Sequence, residues 1–213
     1  DDMQWYFDNY KTSLGYKYVT GTNPSLTPDE NLVYRMRAYD LMEFMWRQQE
    51  NSYDEKTNRI IGSITNTQEI MKGLKLRGRI ATDYTSYLET NKNPNEVPLA
   101  LGTSGYCAQA QTKYGILYGD VLLMLDKKIT EDIGIIVNAG WQGRKESSHY
   151  NSAGTNGGLS VENWYDLNAT NLTPTVSATN TEFIKQAFLG TLGLSYKSFA
   201  YLEVTGRQES SST

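Results

Sequence analysis

The chain has one cysteine, Cys107, so it has no intrachain disulfide framework and no zinc site with two or more thiolate ligands. It has one histidine, His149, which excludes paired-histidine metal motifs such as His-Glu-x-x-His. No apolar run approaches the roughly 18 residues of a transmembrane helix. Positive charge is not in excess: 20 Lys and Arg face 24 Asp and Glu, a net charge of −4. A nucleic-acid binder needs a basic patch to displace counterions, so nucleic acid is not an expected partner. The run Gly154-Thr155-Asn156-Gly157-Gly158 lacks the lysine and the strand–helix context of a phosphate-binding loop. Ser147 and Ser148 stand beside His149, but no strand-turn-helix elbow surrounds them, so the chain does not read as an enzyme. No catalytic residue, metal or cofactor is expected, and no tandem repeat is found.

The 213 residues include 16 tyrosines and 18 glycines. Hydrophobic residues make up 38 % and charged residues 21 %, both slightly low for a soluble globular domain. Such a hydropathy also suits a transmembrane β-barrel, whose strands alternate apolar and polar residues. The chain starts at Asp1-Asp2 and stops at Ser210-Ser211-Ser212-Thr213, which reads as a piece of something longer.

Residues 1–57 are the least regular, with turn formers at Gly21-Thr22-Asn23-Pro24 and Thr27-Pro28-Asp29. A helix fits Glu30 to Gln49, although its apolar positions are not cleanly periodic. From Asn58 onward the period becomes two. In 74–84, Leu74, Leu76, Gly78, Ile80, Thr82 and Tyr84 share one face, and Lys75, Arg77, Arg79, Ala81 and Asp83 share the other. In 132–144, Ile133, Ile135, Val137, Ala139 and Trp141 oppose Gly134, Ile136, Asn138, Gly140, Gln142 and Arg144. In 184–196, Phe188, Leu192 and Leu194 share a face. In 199–209, Leu202 and Val204 oppose Tyr201, Glu203, Thr205 and Arg207. Two further strands fit 59–70 and about 105–127. Tight links near 71–73, 127–132 and 197–198 alternate with long polar ones, 91–104 and 145–182. Short turns on one side and long loops on the other is the layout of an outer-membrane barrel.

Three stretches carry a family resemblance. One is Asn58-Arg59-Ile60-Ile61-Gly62, followed by Met71-Lys72-Gly73-Leu74-Lys75-Leu76-Arg77-Gly78-Arg79 and Thr82-Asp83-Tyr84. Another is Glu162-Asn163-Trp164-Tyr165-Asp166-Leu167. The last is Ala187-Phe188-Leu189-Gly190 and Leu194-Ser195-Tyr196-Lys197, with Tyr201 to Ser211. Together they resemble the barrel of SusC/RagA-type TonB-dependent transporters of Bacteroidota, whose paired strands read roughly Y-S-Y-K…Y-L-x-x-x-x-R-x-D-x-S-S. Glu209 stands where that pattern has Asp, and Ser210 where it often has Gly. The resemblance spans about residues 55–213.

The resemblance implies an all-β fold: an antiparallel transmembrane β-barrel, of which this chain is a partial wall. Barrels of this class have about 22 strands and a plugged lumen. It also implies active transport of a nutrient, an oligosaccharide or a peptide, across the outer membrane. The implied partners are a SusD-like surface lipoprotein, outer-membrane lipid, and TonB acting through a plug and TonB box that these residues do not contain. Residues 1–57 would then be mostly extracellular loop, and 58–213 barrel strands with long extracellular loops at 91–104 and 145–182. Lumen-lining candidates are Lys75, Arg77, Arg79, Asp83, Asn138, Gln142, Arg144, Glu203 and Arg207. The row Lys75, Arg77, Arg79 serves polar or anionic cargo, or else forms a solvated or mutually paired inner face with Asp83 or Glu203 as partners. Tyr150, Trp164 and Tyr165 are candidates for loop contacts with lid or cargo; the plainer alternative is an aromatic anchoring the loop on the rim. Trp141 and Tyr84 read as girdle residues. The competing expectation is a soluble all-β carbohydrate-binding module with Tyr- and Trp-rich loops.

Overall fold

The computed structural model describes residues 3–17, 39–197 and 199–212. Two helices, α1 (Met3–Asp8) and α2 (Tyr39–Glu50), precede six strands. These are β1 (Ser52–Met71), β2 (Leu74–Asn93), β3 (Tyr106–Lys128), β4 (Ile133–Leu159), β5 (Thr170–Tyr196) and β6 (Ala200–Ser211). They form one antiparallel sheet in the order of the sequence, β1-β2-β3-β4-β5-β6. The sheet does not close, so β1 and β6 are its edges.

Three of the five connections are tight. Between β1 and β2, Gly73 has φ +85°, and a Cβ there would lie 2.4 Å from the Asp126 carbonyl oxygen, so only glycine fits. The Asp126 amide in turn donates to the Gly73 carbonyl at 2.7 Å. The β5–β6 turn is tied similarly, with the Lys197 amide donating to the Asp132 carbonyl at 2.8 Å. The register of this last hairpin runs from Tyr196↔Ala200 to Lys185↔Ser211, which pairs Leu192 with Val204 and Leu194 with Leu202 on one face. Those four residues were expected to share a face, and they do.

The strands reach further than their alternating cores predict. β4 and β5 each run 27 residues and take in most of 145–182, which the sequence reading left as a long loop. The true connection is the ten-residue stretch 160–169, containing one short 3-10 turn, Leu167–Ala169. The reason is physical. Backbone pairing needs no particular side chain, and where both faces of a strand are wet the period-two signal disappears. Residues 1–57 are likewise less irregular than expected, since they hold α1, α2 and the start of β1. Of the helix expected at Glu30 to Gln49, residues 39–49 are helical, and 30–38 lie outside the described residues.

The chain divides into two compact units. The first takes in Asp1–Lys56, Leu88–Gln111 and Tyr150–Ala178, and it has buried apolar clusters. Tyr6 and Met42 pack with Trp5, Leu41 and Met45; Cys107, Leu159 and Ala169 pack with Tyr165. α2 presents Leu41, Met42, Met45 and Trp46 on one side, as helical spacing dictates. Two polar locks hold its loops. The Asn95 amide donates to Asn163 Oδ1 and the Asn163 amide donates to Asn95 Oδ1, both at 2.8 Å. Asn95 Nδ2 also donates to the Ser104 carbonyl at 2.9 Å. Buried Lys17 reaches Glu43 at 2.7 Å and Glu96 at 3.2 Å.

The second unit takes in Thr57–Tyr87, Thr112–His149 and Thr179–Thr213. Its buried residues, among those described, are Asp120 and Ala187. Its large apolar side chains are exposed instead, Ile64 at 80 %, Ile80 at 65 % and Phe188 at 62 %. A sheet of this size without an apolar core is not stable in water by itself.

Two predictions follow from these units. The isolated 213-residue chain should not form a monomeric, protease-resistant, heat-modifiable species in detergent, because its two edges leave backbone groups unpaired at several kcal/mol each in lipid; semi-native electrophoresis reads this directly. Asn95→Ala should destabilise the loop pair by about 1–3 kcal/mol, as expected when buried partners are left unsatisfied. Faster amide exchange confined to 94–105 and 160–169 would register that loss.

Candidate binding surface on the polar face

Strand alternation puts Lys75, Arg77, Arg79 and Asp83 of β2 on one side of the sheet. Arg77 Nη2 donates to Asp120 Oδ1 of β3 at 3.1 Å, and Arg79 Nε donates to Asp120 Oδ2 at 2.7 Å. Arg79 also donates to the Tyr118 hydroxyl at 3.2 Å, and its guanidinium lies 4.9 Å from the centre of that ring. The network then passes to β4. The Gln142 amide nitrogen meets the Tyr118 hydroxyl at 3.3 Å, and its oxygen accepts from Arg207 of β6 at 2.6 and 3.1 Å. The opposite orientation would set donor against donor. Arg207 ends the row on Glu209, at 3.1 Å.

Gln142 and Arg207 belong to strands that are not neighbours, since β5 lies between them. The β5 residue paired with Glu209 is Ala187, which is buried. A methyl group at that position leaves room for the longer side chains to meet across it. A hollow of about 240 Å³ opens here, lined by Tyr118, Gln142, Arg144, Lys185, Arg207 and Glu209. Arg144 pairs with Glu146 at 3.0 Å, and Glu146 accepts from the Tyr114 hydroxyl at 2.6 Å.

The named side chains Arg77, Arg79, Arg144, Lys185 and Arg207 outnumber Asp120, Glu146 and Glu209, so the row is cationic on balance. It is also largely self-satisfied, its donors and acceptors paired with one another across the strands. Nothing in it is arranged as a nucleophile with its base. His149 meets Asn180 Oδ1 at 2.8 Å, and no group of three or more metal-ligating side chains occurs among the described residues.

Arg77, Arg79, Gln142 and Arg207 thus fall in one network, with Arg144 at its margin. Lys75, Asn138 and Glu203 share the face by alternation but do not join it. The partners differ from those expected. Asp83 binds Arg59 of β1, at 2.9 Å, rather than the β2 arginines, and Glu203 sits opposite Gly193. The acid that holds Arg77 and Arg79 is Asp120, which sequence reasoning missed together with Tyr118. Their signal was present: both are polar and sit at alternate positions to Val121, Leu123 and Leu125. Tyr150 is part of β4 and not of a loop, which corrects its expected place. Trp164 does lie on the 160–169 connection and is half exposed, whereas Tyr165 packs against the Cys107, Leu159 and Ala169 cluster and anchors the loop.

No protein-family model matches the sequence, and no curated protein matches it. Solved structures do. The RagAB peptide transporter aligns with a TM-score of 0.71 at 12 % identity, over 92 % of this chain and 20 % of that one. The RagAB peptide importer in its open-open state gives 0.69 at 13 % identity, over 92 % and 20 %. Its closed-closed state gives 0.70 at 13 % identity, over 93 % and 21 %. The chain therefore spans about a fifth of the chains it matches. At such identity the likeness is one of fold: the open six-stranded sheet has the architecture of part of a transporter barrel.

Asp120→Asn should leave both arginines short of a counter-charge and lower the thermal midpoint of the assembled protein. The loss expected on removing one charged partner from a nearly buried site is about 1–3 kcal/mol. Asp83→Asn, whose Arg59 partner is exposed and screened by solvent, should lower the midpoint less. Equal effects from the two substitutions would contradict the assignment of Asp120 as the acid that organises the row.

Proposed function

We propose that this chain is a segment of the wall of a SusC-type outer-membrane transporter that imports a nutrient. The observation that carries this reading is the second unit of the sheet: one face exposed and apolar, the other an organised polar row, and almost nothing buried within the protein. Lipid supplies the missing apolar contact on one side, and a water-filled lumen suits the other. The fold likeness to RagAB over nine-tenths of the chain supports the same reading.

On this reading Leu76, Ile80, Ile135, Val137, Leu192, Leu194, Leu202 and Val204 face lipid. Lys75, Arg77, Arg79, Asp83, Asn138, Gln142, Arg144, Glu203 and Arg207 face the lumen. The three tight turns mark the periplasmic end, and α1, α2 and the connections 94–105 and 160–169 the extracellular end. Cargo, an oligosaccharide or a peptide, would meet a wall of hydrogen-bond donors and acceptors already paired with one another, which offers many weak contacts and lets a polar solute move on. Energy would come from TonB through a plug domain outside these 213 residues, and capture from a SusD-like lipoprotein at the extracellular end. The chain's work is transport and not catalysis.

The first unit supplies a rigid rim for that lipoprotein or cargo. Glu50 helps to fix it. Burial raises the Glu50 carboxyl, but hydrogen bonds from Tyr10 at 2.5 Å and Lys11 at 2.9 Å outweigh burial and hold it below the usual carboxylate range. A depressed carboxylate stabilises the fold above its unfolded pKa, and that contribution is lost as pH falls through the folded value. The contact should therefore persist at neutral pH and loosen in acid. Protection of the 10–11 and 48–50 amides, taken relative to intrinsic exchange, which itself slows in acid, should fall on acidification in the wild type, and Glu50→Gln should show the lowered protection already at neutral pH.

The transport reading is tested in the full-length protein. Spin labels at Ile80 and Val204 should be quenched by a lipid-soluble reagent, and labels at Arg79 and Arg207 by a water-soluble one; equal access would sink the assignment. Trp164→Ala should leave the barrel assembled and weaken binding of the lipoprotein or cargo by about tenfold, the effect of truncating an aromatic contact. A soluble carbohydrate-binding module would instead fractionate without detergent.

A further inference from the structure

The apolar face of the second unit is not uniformly ridged. Gly62 of β1, Gly78 of β2 and Gly119 of β3 form the floor of a groove of about 830 Å³. Ile64, Ile80, Leu117, Val121 and Trp141 flank it. None of the three glycines has a positive φ. A Cβ added at Gly62 or Gly78 would meet nothing within 4 Å, and one at Gly119 only the Arg79 carbonyl oxygen, at an ordinary 3.8 Å. Neither backbone conformation nor packing inside this chain asks for glycine there. Gly143 makes the contrast: the Trp141 ring lies over it, and a Cβ would stand 2.8 Å from that ring. Glycine within a strand costs about 0.5–1 kcal/mol relative to alanine, and an interior strand glycine often marks a close approach by a ligand.

We propose that this groove is a lipid site, seating an acyl chain of a diacyl membrane lipid against the glycine floor. The inference rests on the reading of this face as lipid-exposed. The occupant follows from the lining. Its exposed surface is almost wholly apolar, so a peptide segment laid there would bury backbone N–H and C=O groups without partners, whereas a chain of methylenes has none to satisfy. A smaller hollow of about 330 Å³ shares Ile80, Leu117, Gly119 and Trp141 with the groove and extends it to Lys145, whose Nζ lies 2.9 Å from Glu182. That pair offers a headgroup both a donor and an acceptor at the end of the apolar track.

The test uses the full-length transporter, purified from outer membranes in mild detergent and examined by native mass spectrometry. The wild type should retain diacyl lipid through detergent washing. Gly78→Leu fills the floor and should reduce the retained fraction about tenfold, the equivalent of roughly two lost methylene contacts. Thr205→Val, on the opposite face, should leave retention unchanged. Should Gly78→Leu fail to assemble, Gly62→Leu fills the same floor from β1 and carries the same expectation. Wild-type protein holding no lipid, or only detergent or free fatty acid, overturns the proposal, as does equal retention by the filled variants, which would assign the glycines to curvature of the wall. Protein absent from the outer-membrane fraction would instead overturn the transport reading on which the site depends.

Discussion

Six strands satisfy one another's backbone groups, and one face of the resulting sheet has no protein to cover it. In the second unit most large apolar side chains, among them Ile64, Ile80, Leu117, Val121, Leu192 and Val204, share one face, and nothing folds back over them among the described residues. A soluble sheet must bury such a face against a helix layer or a second sheet, because apolar area left in water forfeits about 25 cal/mol per Å². On the transport reading proposed above, lipid takes the place of that second layer. That requirement accounts for the alternation in 74–84, 184–196 and 199–209 and for the lack of an apolar core among the described residues of the second unit.

The opposite face answers a different problem. Like charges set side by side on one face are costly unless each finds a partner, and the row from Arg77 to Glu209 pairs them across four strands. Asp120 is the pivot, since it is nearly buried and holds two arginines with two oxygens. Ala187, paired with Glu209, is small and buried beneath the row. The same geometry that stabilises the wall leaves a continuous row of donors and acceptors along it.

The first unit is built on ordinary globular principles, with buried aromatics, an ion-paired lysine and loops clamped by side chains. Asn163 adopts the left-handed conformation that asparagine tolerates, with φ 50°, and this brings its amide and its carboxamide to Asn95 at once. Gly158, at φ +86°, lies where a Cβ would stand 2.8 Å from the Ser104 amide nitrogen, so loop and strand end approach backbone to backbone. Loops held this way keep the 160–169 connection, with the half-exposed Trp164 on it, in a single conformation.

By itself the sequence determined the class of fold and the side of the sheet on which most residues lie, because side chains alternate with a fixed period of two. Leu192, Leu194, Leu202 and Val204 were assignable for that reason, as was the tight turn at Gly73. The tertiary structure alone decided which charges meet. Asp83 and Asp120 were equally available to the β2 arginines, and register, a property of two strands together, gave Asp83 to Arg59 and Asp120 to Arg77 and Arg79. It also decided how far the strands run, since paired backbone in water carries no side-chain signature, and it brought Asn95 to Asn163 across 68 residues. Periodicity is local and therefore readable along one chain segment; pairing between segments depends on where the chain returns, and only the folded sheet fixes that.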